Sequence, residues 1–267
     1  MGIARHARIF RALLRLGATE ALAYRAEVLV WILSTTMPLI MIAFFEAVAG
    51  DGPIGRYGEP QIIAYFLATF IVRSLTASWI SWQINLDIRD GTLAARLLRP
   101  VHPLVGYAAE SLGALPMRVL VAVPVAAILL VSFGGREVSH DPWIWLMWCA
   151  SILGAWTISL CVSFTVGALA FFMDWSAKVM DAWLAALFVF SGYLIPIDLF
   201  PRAVRGALDW LPFRYQIGLP VELMVGAHDR AEAAALLGRQ WGFVALAGLV
   251  TFTAWRRGIA RFAAFGG

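Results

Sequence analysis

Charge is what this sequence has least of. Only 14% of its 267 residues are Asp, Glu, Lys or Arg, against 61% hydrophobic, and its mean hydropathy is +0.78. A soluble domain of this size carries roughly a quarter charged residues, and no polar segment here is long enough to build a separate soluble core. Lysine is nearly absent, since Lys178 stands alone beside 20 arginines, a skew we read as a GC-rich, bacterial genome. That lysine sits in Ala177-Lys178-Val179, so the Gly-Lys-Ser/Thr end of a phosphate-binding loop is missing. Any ATP used must be bound by another chain. Cysteine is limited to Cys149 and Cys161 in one apolar run. A helix separates them by about 18 Å, beyond the roughly 7 Å that a disulfide spans. Histidines 6, 102, 140 and 228 are dispersed, with no His-Glu-x-x-His or Cys/His cluster, so there is no metal signature. A Gly-x-Ser-x-Gly nucleophile elbow is also absent. The net charge of +4 is too scattered for nucleic-acid binding.

What is present is a series of apolar runs, each long enough to be a transmembrane helix of about 20 residues. They predict an all-α membrane protein with six spans, near 28–49, 61–86, 104–132, 143–172, 178–195 and 238–257. Ahead of them, residues 3–26 place Arg5, Arg8, Arg11 and Arg15 on one helical face, and Ile3, Ile9, Phe10, Leu13, Leu14 and Tyr24 on the other. That segregation suits an amphipathic helix lying in the membrane interface; an ordinary basic flank is the plainer reading. Ala47-Val48-Ala49 imitates a signal-peptidase site. The apolar stretch before it is too long for a signal sequence, whose core is about 7–15 residues, so a retained span is expected. Pro116 and Pro124 should kink the third span. Residues 196–237 are too proline-interrupted for a span and too apolar for an ordinary loop. They fit short, half-buried helices re-entering the outer leaflet, or else a solvated loop with amphipathic turns. Arginine concentrates in the N-terminal segment, at 87–103 and in the C-terminal tail, which places both termini and the 87–103 loop in the cytoplasm.

Several polar residues fall inside these spans. Arg73 lies mid-way along the second, where an arginine costs roughly 2.5–3.5 kcal/mol on insertion scales; by depth its nearest acidic candidate is Glu46. Arg118 and Glu110 pose the same problem in the third span. They line a polar path, or they pair inside the bundle or snorkel to its edge. Ser74, Ser78, Ser81 and Asn85 form a narrow stripe, either a close helix contact or a water-facing conduit. Trp79 and Trp82 lie off the stripe as a stacking surface or lipid-facing aromatics.

The most polar stretch is 89–103, RDGTLAARLLRPVHP. Asp90-Gly91-Thr92-Leu93-Ala94-Ala95-Arg96 resembles the Asp-Gly-x-x-Ala-Arg motif of membrane phospholipid head-group transferases. Here Ala-Arg comes one residue late, Glu110 follows Gly106, and Ala114 stands where the last carboxylate belongs. Two-metal chemistry is therefore unsupported.

A different resemblance covers nearly the whole chain. Ile88-Arg89-Asp90-Gly91-Thr92-Leu93, continuing to Leu97-Leu98-Arg99-Pro100-Val101-His102-Pro103-Leu104, carries most of it, with Gly192-Tyr193-Leu194-Ile195-Pro196 and Leu211-Pro212 in support. On these residues the chain resembles the membrane subunits of ABC-2-type transporters, particularly a short bacterial branch that includes viologen-exporter-like permeases. The resemblance implies a half-transporter in the bacterial cytoplasmic membrane that joins a second permease, identical or homologous, and two ATPase subunits. ATP and Mg would be held by those subunits, leaving no cofactor in this chain. It also implies that the 87–103 loop is a coupling helix seated in the ATPase, a role that falls on Arg89, Asp90, Gly91, Thr92, Leu93, Arg96, Leu97 and Arg99. Leu93 and Leu97 suit an apolar cleft, and Arg96 and Arg99 suit acidic residues there. The family's substrate path at the permease interface makes Arg73, Ser78, Ser81, Phe188, Phe190 and Tyr193 its candidates, for an apolar or amphiphilic cargo. The other readings are an ATP-independent channel, a secondary transporter or a membrane enzyme.

Overall fold

The computed structural model describes residues 36–49, 52–55 and 57–265, together with Ala12 and Thr19. Apart from those two, the expected amphipathic helix at 3–26 lies outside the described residues, as does the start of the expected span at 28–49. Among the described residues the only β pairing is an isolated bridge between Ile54 and Tyr57. The first helices are α1 (Met37–Ala49), α2 (Glu59–Thr76), α3 (Ile80–Arg89), α4 (Leu93–Leu97), α5 (Pro103–Gly113) and α6 (Leu115–Leu129). They are followed by α7 (Pro142–Ala168), α8 (Ser176–Phe190), α9 (Arg202–Leu208), α10 (Pro212–Gln216), α11 (Gly218–Met224) and α12 (Arg230–Phe265). Glu59–Arg89, Pro142–Phe171 and Arg230–Phe262 are long and apolar enough to cross a membrane, and the bent pair Pro103–Leu120 and Ala122–Ser132 makes a fourth crossing if counted as one. The protein is an all-α, multi-pass membrane protein.

The central helix is α7, which packs against α12, α3, α11 and α10. Its start is fixed locally, because Asp141 accepts a hydrogen bond from the Trp143 amide at 3.0 Å and Pro142 occupies the first turn, where its missing N–H costs nothing. By contrast α1, α6 and α12 leave large apolar side chains outward, among them Ile40, Phe44, Leu120, Ile128, Leu249 and Phe252, as lipid-facing helices do.

Three expected spans differ in detail. The second breaks at 77–79, between α2 and α3, without proline or glycine. Ser74 Oγ bonds the Phe70 carbonyl at 2.8 Å, and Thr76 Oγ1 bonds that of Val72 at 2.9 Å. Such back-bonding to the preceding turn competes with the helical ladder and bends it. The freed Ala77 carbonyl accepts from Arg118 Nη1 at 2.8 Å. In the third span the bend of 40° falls near residue 121, where Pro124 cannot donate to the Leu120 carbonyl. Pro116, in the first turn of α6, sits where proline is tolerated. The fifth is helical only over Ser176–Phe190, 15 residues or roughly 22 Å. It stops because Gly192 has φ +89°, and a Cβ there would lie 2.5 Å from Tyr65 Oη, which donates to the Gly192 carbonyl at 2.8 Å.

The segment from 196 onward folds as short helices, with α10 and α11 buried. A charge network holds them. The Arg214 guanidinium pairs with Asp209 and, at 2.8 Å, with Glu222 Oε2. His228 places Nε2 2.8 Å from Glu222 and Nδ1 3.0 Å from Glu232. A carboxylate oxygen at each nitrogen favours the protonated ring, in which both nitrogens donate, and raises the His228 pKa. Burial opposes charge on Glu222, yet His228 and Arg214 outweigh it and pull its pKa down to about 2.

Candidate functional site: a clamped loop and an intramembrane arginine

The loop at the other end of the bundle is built as a turn, a short helix and a second turn. Helix α3 closes at Asp90, and Gly91 at φ +74° reverses the chain as a left-handed residue after a helix does. Five residues then form α4. Pro100 follows in the turn, and Pro103 opens α5, where the ring of His102 accepts the Leu104 amide at 3.3 Å. The loop helix itself ends at Leu97, ahead of both prolines.

Arg96 is the centre of the loop. Its Nε lies 2.7 Å from Asp87 Oδ2 on α3, its Nη1 lies 2.7 Å from Glu110 Oε1 on α5, and its guanidinium carbon stands 4.4 Å above the Tyr107 ring. The partners are held in turn. Gln83 donates to the second Glu110 oxygen at 2.8 Å. Tyr107 donates to Asp87 at 2.5 Å, and Thr92 donates to the other Asp87 oxygen at 2.8 Å. Burial disfavours the Arg96 cation, but the hydrogen bond it donates to Glu110 and the charges around it win, so its pKa is raised above the ordinary value. Charge-assisted bonds of this kind contribute roughly 1.5–3 kcal/mol each, and here they tie the loop helix to both flanking helices.

This placement corrects two expectations. Arg96 is engaged by the chain's own carboxylates, Asp87 and Glu110. Leu93 is fully buried with Ile80, Ile84, Tyr107 and Phe164, and Leu97 packs on the same cluster, so neither is an outward plug. Residues 93, 96 and 97 share one face of a helix by their i, i+3, i+4 spacing; that face is the inner one. The outer face carries Arg89, Asp90, Gly91, Thr92 and Arg99, all exposed, and Leu98, which is 88% exposed. Leu98 is the residue that sequence reasoning missed, and helical spacing from a buried Leu93 was the signal for it. Asp87, Gln83 and Tyr107 were missed as well; Glu110 was marked as a buried acid without its partner.

Within the spans the stripe resolves mostly as packing. Ser74, Ser78, Ser81 and Asn85 are all buried; Asn85 donates to Ser176 Oγ at 2.6 Å, while the Ser78 and Ser81 hydroxyls have no partner among the described residues. Trp79 and Trp82 pack together with ring centres 4.8 Å apart. The expected proximity of Glu46 to Arg73 does not appear. Glu46 is exposed on α1, and Arg73 sits with its guanidinium carbon 5.7 Å from the Phe188 ring centre. Phe188 stacks on Tyr193, with centroids 4.7 Å apart and planes 22° from parallel. Arg73, Phe188 and Tyr193 are therefore brought together, whereas Phe190 turns toward Phe213 at 6.3 Å.

No curated protein matches the chain. A family model described as ABC-2 family transporter protein matches residues 29–266, a range that takes in every element from the described part of the first expected span to the end of α12. With the clamped loop, the multi-pass helical bundle and that match together, the chain belongs to the ABC-2 family and is a transporter membrane subunit.

Proposed function

We propose that the chain is the permease subunit of an ATP-driven exporter, working with a separate ATPase and a second permease. It moves an apolar or amphiphilic substrate across the bacterial cytoplasmic membrane, with both termini and the 87–103 loop on the cytoplasmic side. The observation that carries this reading is Leu98. A leucine 88% exposed and followed by exposed Arg99 projects from a loop whose inner face is locked by Arg96. An apolar knob ringed by charge on a rigid support is what a protein partner's pocket requires. The coupling contacts fall on Arg89, Asp90, Gly91, Thr92, Leu98 and Arg99. Leu93, Arg96 and Leu97 act from behind to hold that face. ATP and Mg belong to the partner, consistent with the missing phosphate-binding loop in this sequence. Arg73, Phe188 and Tyr193 line the substrate path, with Phe190, Ser78 and Ser81 further along it.

The test is co-purification and coupled ATP hydrolysis with the cognate ATPase. Leu98→Asp is expected to leave the permease as heat-stable as wild type while losing ATPase binding by at least about tenfold, the ratio that about 1.4 kcal/mol gives. Coupled transport unchanged in Leu98→Asp with Arg99→Glu, or transport by the permease with no ATPase present, sinks the reading.

A further inference from the structure

Arg73 has an environment that the bundle does not complete. It lies near the middle of Glu59–Arg89, as far from either membrane surface as this span allows, and it is only half-buried within the chain. Among the described residues no carboxylate is within ion-pair distance of it. Glu46 is exposed elsewhere on α1, and Glu110 is already taken by Arg96 and Gln83. What Arg73 does have is an aromatic wall. Phe188 lies beside the guanidinium, and Tyr193 is stacked behind Phe188. The Tyr193 side chain is 1% exposed, yet its hydroxyl has no hydrogen-bond partner among the described residues. Arg118 adds a second positive charge within electrostatic reach of Arg73.

Two unspent features therefore flank one aromatic pair: a guanidinium with donors to spare beside Phe188, and the buried hydroxyl of Tyr193, which is within electrostatic reach of Arg73. A cation at mid-membrane depth is retained where it faces a cavity or a partner of opposite sign. The planar guanidinium fork matches a carboxylate or phosphate, which it binds through two parallel hydrogen bonds. The aromatic rings give the remaining contact an apolar character. A few convergent polar groups in an aromatic lining is how small-molecule sites fix the orientation of a largely apolar ligand.

We propose that Arg73, with Phe188 and Tyr193, is a binding site for the oxyanion head of an amphiphile, a carboxylate or phosphate ester carrying an alkyl or aryl tail. Arg73 receives the head, the Tyr193 hydroxyl donates to it, and the Phe188–Tyr193 stack receives the first part of the tail. The proposal rests on the permease reading and narrows its cargo to anionic amphiphiles.

The experiment uses the full-length permease in nanodiscs of phosphatidylcholine, without any ATPase, so that its outcome is independent of ATP coupling. Four diazirine-bearing probes share one C16 chain and differ in the head: carboxylate, phosphate, alcohol and amine. Photo-crosslinking yield is read against concentration, and the labelled peptide is mapped. The carboxylate and phosphate probes are expected to label the peptide containing Phe188 and Tyr193 at concentrations at least about tenfold below the alcohol and amine, a ratio equivalent to about 1.4 kcal/mol. Arg73→Gln abolishes that preference and Arg73→Lys keeps part of it. Tyr193→Phe preserves the stack and lowers the preference several-fold without changing alcohol labelling, which keeps the test decisive if Arg73→Gln fails to fold. Adding phosphatidylglycerol to the nanodiscs separates the sources: competition identifies a bilayer lipid as a ligand, and its absence leaves a transported amphiphile. Equal labelling by all four heads, or a preference that survives in Arg73→Gln and Tyr193→Phe, overturns the proposal. So does a preference that vanishes once the second permease is present, since a carboxylate from that subunit would then own Arg73.

Discussion

The two ends of the bundle each fold an irregular connection around an arginine held by two carboxylates, yet they leave opposite surfaces. At the far end, Arg214 joins Asp209 and Glu222, His228 closes the network, and α10 and α11 vanish into the interior. The Glu222 side chain is 4% exposed. At the loop end, Arg96 joins Asp87 and Glu110 with its own side chain 18% exposed, and the helix it anchors offers Leu98 and Arg99 to the outside. Similar chemistry thus makes a sealed floor at one end and a held-out handle at the other. The difference lies in how many residues follow the arginine before the next span: a buried α11 in the one case, and only a proline-bounded turn in the other.

The largest expected effect separates the ends most sharply. Glu222→Gln removes the buried carboxylate that Arg214 and His228 share, leaving them only Asp209 and Glu232, and is expected to lower stability by about 3–5 kcal/mol, as removal of one partner of a buried ion pair does; chemical denaturation in detergent reads it. Leu93→Ala follows at about 2–5 kcal/mol, the range for a buried leucine, whereas Leu98→Ala in the same assay leaves stability unchanged. A Leu93 variant as stable as wild type would mean that the loop helix faces the other way. Arg96→Leu is next, at about 1.5–3 kcal/mol, less than Glu222→Gln because Asp87 and Glu110 regain water more easily.

Acidity distinguishes the ends more gently. His228 loses some affinity for its proton through burial, but Glu222 and Glu232 more than restore it, so its pKa is raised above the ordinary 6.5. Its contribution is complete below that value and is lost as pH climbs through the raised one. Glu222, ordinarily at 4.5 and held at about 2, contributes fully above 4.5 and is lost as pH falls toward 2. The far end is therefore most stable between these limits. Melting temperature should fall as pH rises above about 6.5 in wild type and stay flat in His228→Gln. Arg96, whose pKa is raised from an already high value, gives the loop end no such dependence in this range. The smallest effect belongs to Arg230, which pairs with Asp141 at 2.5 Å with its own side chain 60% exposed; Arg230→Ala should leave the melting temperature nearly unchanged.

Much of this fold can be read from apolar run length. The runs at 143–172 and 238–257 became α7 and α12 because their hydrophobicity is continuous and their caps are local: Asp141 and Pro142 for one, and Asp229, which accepts the Glu232 amide at 2.8 Å, for the other. Run length says nothing of a break made by side-chain hydroxyls, so the interruption at 77–79 after Ser74 and Thr76 did not show. Nor could it show that a 15-residue helix ends at Gly192, since that requires knowing where Tyr65 lies. In the loop, residue type marked the right segment but not its facing. Leucine and arginine suit a partner's cleft and the chain's own core equally well, and only Asp87 and Glu110, flanking Arg96 from two helices, decide between them. The supposed closeness of Glu46 and Arg73 was a depth argument, and depth alone does not fix the direction in which a helix turns its side chains.

The interruption between α2 and α3 changes what a push on the loop can reach. Had 59–89 been one rod, a force applied at Leu98 and carried by Arg96 and Asp87 would arrive undivided at Arg73. As it is, such a force would meet a ten-residue helix joined to α2 through an extended residue, Ala77, whose carbonyl Arg118 holds. The Arg118 guanidinium thus bridges the break from α6, a third helix, while α2 is buried along most of its length.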